Sequence, residues 1–295
     1  MADLPDGPNP AGRVASGWSV WTKAFAQAGR TASDQGLGAA GTSGSIFGVA
    51  AGADKRLSPD LLVGFALAGG GASFSARGSG SGDFFQIGLY GSTRIGEGYL
   101  SAAAAYGWHR FDVSRFVGLG AVADTYLSSP VAHGLGARLE AGRRFGGRAL
   151  GLTPYAALEA ISYSAAGYAE SFNAPSSGIF ALSYGGKSTG TLRTEVGLRF
   201  DSLTPLASGV DLLAFGRIAY GYQAGTQRTL DAAFQSLANS GFTVFGARAS
   251  AHTVLASFGA EARFAGGTRL SATLDGELGD RHRTIRAQVN LRHQW

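Results

Sequence analysis

The last thirteen residues, Arg283-Thr-Ile-Arg-Ala-Gln-Val-Asn-Leu-Arg-His-Gln-Trp295, set the pattern for the chain. Read with period two, Ile285, Ala287, Val289, Leu291, His293 and Trp295 form one face, and Thr284, Arg286, Gln288, Asn290, Arg292 and Gln294 form the other. Such alternation is the signature of a strand with one apolar and one polar side. A soluble sheet normally shields an edge of this kind, whereas the closing strand of a membrane barrel pairs with the first strand and has no free edge.

The same period recurs upstream. Residues 18–28 read as the first strand, and residues 45–54 as the second, with Phe47, Val49, Ala51 and Ala53 opposite Gly48, Ala50 and Gly52. The third carries Leu61, Val63, Phe65 and Leu67; a Gly/Ser loop is expected over 69–82. Strand four sets Phe85, Ile87 and Leu89 against Gln86, Gly88, Tyr90 and Arg94, and strand five carries Leu100 to Trp108 in alternation. A loop is expected at about 113–128, followed by strand six, where Leu135, Ala137 and Leu139 oppose Arg138, Glu140 and Arg144. Strand seven covers 152–163, strand eight centres on Leu192 to Phe200, and strand nine spans 210–222. Long loops are expected at 164–187 and 223–251, before strands ten (Val254 to Ala262), eleven (ending near Gly276) and twelve.

Twelve strands is an even number, and the longer connections follow odd strands. The predicted fold is therefore all-β: a twelve-stranded antiparallel transmembrane barrel of the outer-membrane type, with short turns and both termini periplasmic and loops extracellular. The predicted strands run to about ten residues or more, which suits a tilted crossing better than the ~5–6 residues common in soluble sheets. A soluble sandwich or small barrel would bury the apolar face and expose the charges.

Composition supports this pattern. Glycine is abundant (47 of 295 residues), charged residues make up 15%, and no apolar run is long enough for a membrane helix. Cysteine is absent, which suits passage through an oxidising compartment. The net charge of +5 is carried almost wholly by arginine, with lysine only at positions 23, 55 and 187, and no basic patch suggests nucleic acid. Residues 1–17, with Pro5, Pro8 and Pro10, read as a linker remnant without a signal peptide, and residues 18–295 as the barrel. Met1 is the only methionine, as expected of a piece taken from a longer protein.

Candidate chemistry is sparse. Gly36-Leu-Gly-Ala-Ala-Gly41 matches a dinucleotide fingerprint in letters but precedes a strand, and Gly186-Lys187-Ser188 lacks the first glycine of a phosphate loop. The five histidines (109, 133, 252, 282, 293) form no readable group with a nucleophile, and no cofactor, metal site or catalytic residue is expected. The patterned ionisable residues are Arg94, Arg138, Glu140, Arg144, Glu159, Arg193, Glu195, Arg199, Arg217, Glu261, Arg263, Asp275 and Glu277, joined by Arg286, Asn290 and Arg292 of the last strand. All have the parity expected to line a polar lumen, where mutual ion pairing lets charges persist and where an extended polypeptide could be held or passed.

Several stretches resemble the translocator β-domain of autotransporters, the type V secretion proteins of Gram-negative bacteria. They are Leu135-Gly-Ala-Arg-Leu-Glu-Ala-Gly-Arg-Arg-Phe145, Leu152-Thr-Pro-Tyr-Ala-Ala-Leu-Glu159, Leu192-Arg-Thr-Glu-Val-Gly-Leu-Arg199, Ala233-Phe-Gln235, Phe242-Thr-Val-Phe-Gly-Ala247, Leu274-Asp-Gly-Glu-Leu278 and the terminal aromatic strand. One departure is Tyr220-Gly-Tyr222, where the family commonly has tryptophan-x-histidine. The family also threads a helical linker through its barrel, for which residues 1–17 are poorly suited, and the paired asparagines of its self-cleaving members are absent. The resemblance implies an integral, monomeric outer-membrane barrel that secretes or displays an N-terminal passenger. Its implied partners are membrane lipid and lipopolysaccharide, the barrel-assembly machinery, periplasmic chaperones and the passenger itself. Val289, Leu291, His293 and Trp295 would act as the assembly signal. The competing functions are a passive porin-like channel and, further off, a barrel hydrolase.

Overall fold

A computed structural model describes residues 17–295 except 77, 121, 148, 207 and 208. Twelve long strands form the wall: β1 (Trp18–Thr31), β2 (Thr42–Arg56), β3 (Leu61–Ser75), β4 (Ser79–Ile95), β5 (Gly98–Leu119), β6 (Val131–Arg143), β7 (Gly151–Ala165), β8 (Lys187–Pro205), β9 (Asp211–Ala224), β10 (His252–Arg263), β11 (Thr268–Gly279) and β12 (His282–Gln294). Each pairs antiparallel with its sequence neighbour, and β12 pairs with β1 from Ser19 opposite Gln294 to Thr31 opposite His282. The sheet is thus closed and has no edge, as a spanning sheet must be. At the seam's lower end, Trp295 N–H donates to Trp18 O at 3.2 Å.

The distribution of exposure is inverted relative to a soluble protein. Outward positions are large and apolar, such as Phe47 (66% exposed), Leu89 (66%) and Phe258 (65%), whereas Glu140 is 1% exposed on the inside. Among the described residues no helix is long and apolar enough to cross a membrane; the apolar outward face of the strands is the pattern of a spanning barrel.

The connections differ from the sequence expectation in four places. Residues 69–82 are not a loop: β3 and β4 pair through them up to Ser75 opposite Ser79. Their glycines make room for aromatic rings, since a side chain at Gly70 would collide with Phe47 O and the Phe84 ring. Residues 113–128 form a hairpin, with Val122–Ser128 folding back on the extended end of β5. The long connections after β7 and β9 are also structured, contributing Tyr168–Ala169, Leu182–Tyr184, Thr229–Phe234 and Phe242–Phe245 to a separate four-stranded sheet. The pairing that joins the two connections, Leu182 opposite Phe234, is distant in sequence, so local patterning does not reveal this sheet.

The expected length rule holds in part. Even strands are followed by turns such as residues 96–97, where Gly96 adopts φ 60°, a conformation that glycine reaches without strain. Of the odd strands, β3 and β11 are followed by connections as short as those turns, because their strands run on beyond the expected ends. Residues 1–16, most of the expected linker, lie outside the described residues.

Candidate functional site: the barrel interior

Ion pairs that skip a strand locate the interior, because only inward side chains can reach across the barrel. Arg199 of β8 meets Glu140 of β6 at 2.5 Å, and Arg138 of β6 meets Glu195 of β8 at 3.4 Å. Arg193 of β8 meets Glu277 of β11 at 3.0 Å, and Arg292 of β12 meets Asp54 of β2 at 3.1 Å. Arg138 is a hub that also contacts Glu140 (2.9 Å) and Glu159 (3.5 Å). Arg217 joins Glu195 (3.3 Å) and Asp275 (3.8 Å), and donates to Ser257 Oγ, which donates on to Asp275. Tyrosines complete the network: Tyr155 OH donates to Glu195 (2.5 Å), Tyr99 OH to Glu140 (2.8 Å), and Arg199 lies 4.0 Å above the Tyr155 ring. Buried charges persist when paired and hydrogen-bonded in this way.

Nearer the end that carries the short turns, Arg144 binds Asp201 at 2.6 Å and Arg263 binds Glu261 at 2.6 Å. Arg94 has inward parity there, and its backbone N–H donates to Asp60 O. Towards the outer end, Arg286 donates to Gln27 at 2.8 Å, while Asn290 lies opposite Lys23 and Ser271. Val289, Leu291, His293 and Trp295 lie on the outward face of β12, with His293 Nδ1 3.0 Å from Thr268 Oγ1 and its ring stacked on Trp295.

The opposite wall is aromatic. Trp21, Phe25, Phe84, Tyr90, His109, Phe111 and Phe74 all have inward parity on β1, β3, β4 and β5. Ring contacts run from Phe25–Phe84 through Phe84–His109 and His109–Phe111 to Phe74–Phe111, with centroids 6.1–6.3 Å apart. Trp21 donates from Nε1 to Tyr90 OH (2.7 Å), and Tyr90 donates to Asp54 (2.9 Å). The Trp21 ring lies over Gly52, where any Cβ would collide with it. A cavity of about 210 Å³ remains inside the barrel, lined by Glu159, Tyr163, Thr189, Arg193, Gln223 and Arg228 among others.

The sequence reading missed this aromatic wall, along with Asp54, Asp201 and the three tyrosine donors. A usable signal existed: extending period two through β1 places Ser19, Trp21, Lys23, Phe25 and Gln27 on one side, and extending it from Gly52 reaches Asp54.

The histidines are dispersed. His133 contacts Tyr106 (2.7 Å), His252 contacts Tyr220 (2.5 Å), and His282 contacts Thr31 and Thr284. Tyr222 also packs on His252, so both tyrosines of Tyr220-Gly-Tyr222 meet that ring on the neighbouring strand.

Above the wall, beyond the ~9–11 residues a strand needs to cross, the connections form a packed cap. Arg115 donates to both oxygens of Glu170 (2.7 and 2.6 Å), and Glu170 also accepts from Leu182 N–H and Tyr184 OH. Asp124 accepts from Ser177 N–H and Oγ and from Tyr126 OH. Tyr126 is fully buried, and burial pushes its phenol above the usual value, so it remains a donor. Hydrogen bonds from Ser177 hold the Asp124 carboxyl below the ordinary carboxylate range.

Comparisons with known proteins agree with this architecture. The chain superposes on the translocator domain of autotransporter NalP from Neisseria meningitidis with a TM-score of 0.72, at 16% identity, covering 95% of this chain and 89% of that one. It superposes on the beta domain of the Bordetella autotransporter BrkA with a TM-score of 0.68, at 17% identity, covering 95% and 100%. It is 30% identical over 190 residues, 62% of this chain, to an extracellular serine protease of Serratia marcescens, of which the match spans 17%. The chain therefore corresponds to a small part of that relative's length. The family model described as "Autotransporter beta-domain" matches residues 20–275. The chain belongs to the autotransporter β-domain family: it is an outer-membrane translocator barrel.

Proposed function

We propose that the polypeptide preceding Trp18 is this barrel's cargo and reaches the cell surface through the lumen. The observation that carries this reading is the two-sided interior, with guanidinium–carboxylate pairs on β6–β11 facing an aromatic wall on β1–β5. An extended or helical segment has both apolar and polar surface, and this lining offers a contact for each. β1 starts at the end that carries the short turns. A chain entering β1 from the passenger side must therefore span the barrel's length. On this reading residues 18–295 are the translocator and residues 1–17 the end of the tether. The outward Val289, Leu291, His293 and Trp295 would present the final strand to chaperones and the barrel-assembly machinery.

The test fuses an unfolded, protease-sensitive reporter segment ahead of residue 1, behind a secretion signal, in a Gram-negative host. Protease added to intact cells should remove the reporter while the heat-modifiable barrel stays in the membrane. A reporter that remains protected beside a correctly folded barrel would overturn the reading.

A further inference from the structure

At the outer end of the seam two arginines oppose each other on the outside of the barrel. Arg30 of β1 is directly opposite Arg283 of β12, and on its other side opposite Ser43 of β2. Ser43 is in turn opposite Ser75 of β3, with their hydroxyls 2.9 Å apart. Arg30 shares outward parity with Ala26 and Ala28, and Arg283 shares it with Ile285 and Ala287. Directly opposed side chains have Cβ atoms ~4.5–5.5 Å apart, where like charges repel.

No ion pair relieves that repulsion: among the described residues neither guanidinium has a carboxylate partner. Arg110, another outward arginine, lies instead directly opposite Asp83. A groove of about 580 Å³ opens beside the pair, lined also by Arg281, His282 and Asp280. Its acidic lining residue, Asp280, bonds Ser250 and lies 4.0 Å from Arg281, which also meets Asp34 at 2.6 Å. His282 is held by Thr31 and Thr284. The excess positive charge is therefore concentrated on Arg30 and Arg283.

The pair sits one outward step beyond Ala28 and Ile285, at the upper margin of the apolar band. We propose that Arg30 and Arg283, with Ser43 and Ser75 beside them, bind a phosphate group of an outer-leaflet glycolipid. Each guanidinium presents paired N–H donors that match phosphate oxygens, and the serine pair, one hydroxyl bonded to the other, adds one further donor. The acyl chains would run down the outward face over Phe47, Val49 and Ile285. A bridging dianion turns the repulsive cross-seam pair into a clasp between the first and last strands. The site rests on the orientation used above, in which the long connections face the exterior.

The test titrates the purified barrel in detergent with bisphosphorylated lipid A and with its dephosphorylated form, read by native mass spectrometry. The intact barrel should retain the phosphorylated lipid about tenfold more tightly or better. R30Q/R283Q should abolish that preference, R30K/R283K should keep most of it, and R110Q should leave it unchanged. If the double glutamine variant does not fold, R30Q alone carries the test in the same direction. Equal binding of the two lipids, an unaffected glutamine variant, or displacement by millimolar inorganic phosphate would each overturn the proposal. A barrel that exports its reporter yet ignores phosphorylation sinks only this site; failed export with phosphate-selective binding sinks only the route.

Discussion

Arg199 and Glu140 form a two-point contact across the interior, Nη1 to Oε1 at 2.5 Å and Nη2 to Oε2 at 2.9 Å, with the carboxylate 1% exposed. Glu140 also accepts from Tyr99 and Arg138, so one carboxylate organises two guanidinium groups and a phenol. Glu140→Ala leaves Arg199 without its carboxylate partner, while Arg138 keeps Glu159 and Glu195, and should cost about 3–5 kcal/mol. Urea unfolding in bilayers measures this; a loss under ~1 kcal/mol, the range of a surface pair, would show that the pair is solvated.

The final strand separates its two faces. Val289 is 51% exposed on the outward side, opposite Ala24 and Ala272. Val289→Arg should cost about 2–4 kcal/mol if that face meets lipid near the midplane. Asn290→Arg points inward opposite Lys23, where like-charge repulsion costs about 0.2–1 kcal/mol. Equal losses at the two positions, measured in the same bilayer, would contradict the face assignment.

The Trp21 ring occupies the space above Gly52 that a side chain would need. Gly52→Ala should displace the ring, weaken its hydrogen bond to Tyr90, and cost about 1–3 kcal/mol by overpacking. Unfolding measurements and a shift in tryptophan emission check this, with Gly266→Ala, which meets nothing nearby, as the neutral comparison.

The cap should loosen in acid. Asp124 is held below the ordinary Asp value of 3.8, chiefly by the Ser177 hydroxyl. A carboxylate with a depressed folded-state pKa contributes stability that is fully present above its unfolded value and is lost as pH falls through the folded one. Hydrogen-exchange protection at Ser177 and Phe180, whose N–H groups bind Asp124 and Tyr126, should be flat at neutral pH and decline below pH 3.8. Asp124→Asn should flatten that decline at those two amides; an unchanged profile would place the acid response elsewhere.

The wall of the barrel was legible because period-two alternation is a local property: Phe85-x-Ile87-x-Leu89 and Ile285-x-Ala287-x-Val289 declare their faces without reference to any other strand. The cap was not legible, because Leu182–Tyr184 and Thr229–Phe234 pair with each other across two separate connections, with strands β8 and β9 between them. The Gly/Ser run 69–82 misled for a related reason. Its glycines meet the Phe47 and Phe84 rings, which come from flanking strands. Inside the barrel, parity brought out the charged residues, but their partners depend on closure: Arg292 reaches Asp54 only because β12 returns beside β1.

The route of the cargo is the central claim, and site-specific photocrosslinking during export tests it most directly. A crosslinker at Phe84 or Glu195, both inward, should capture a reporter stalled in transit, while one at outward Leu89 or Val196 should not. Capture from the outward positions with none from the inward ones would contradict passage through the lumen.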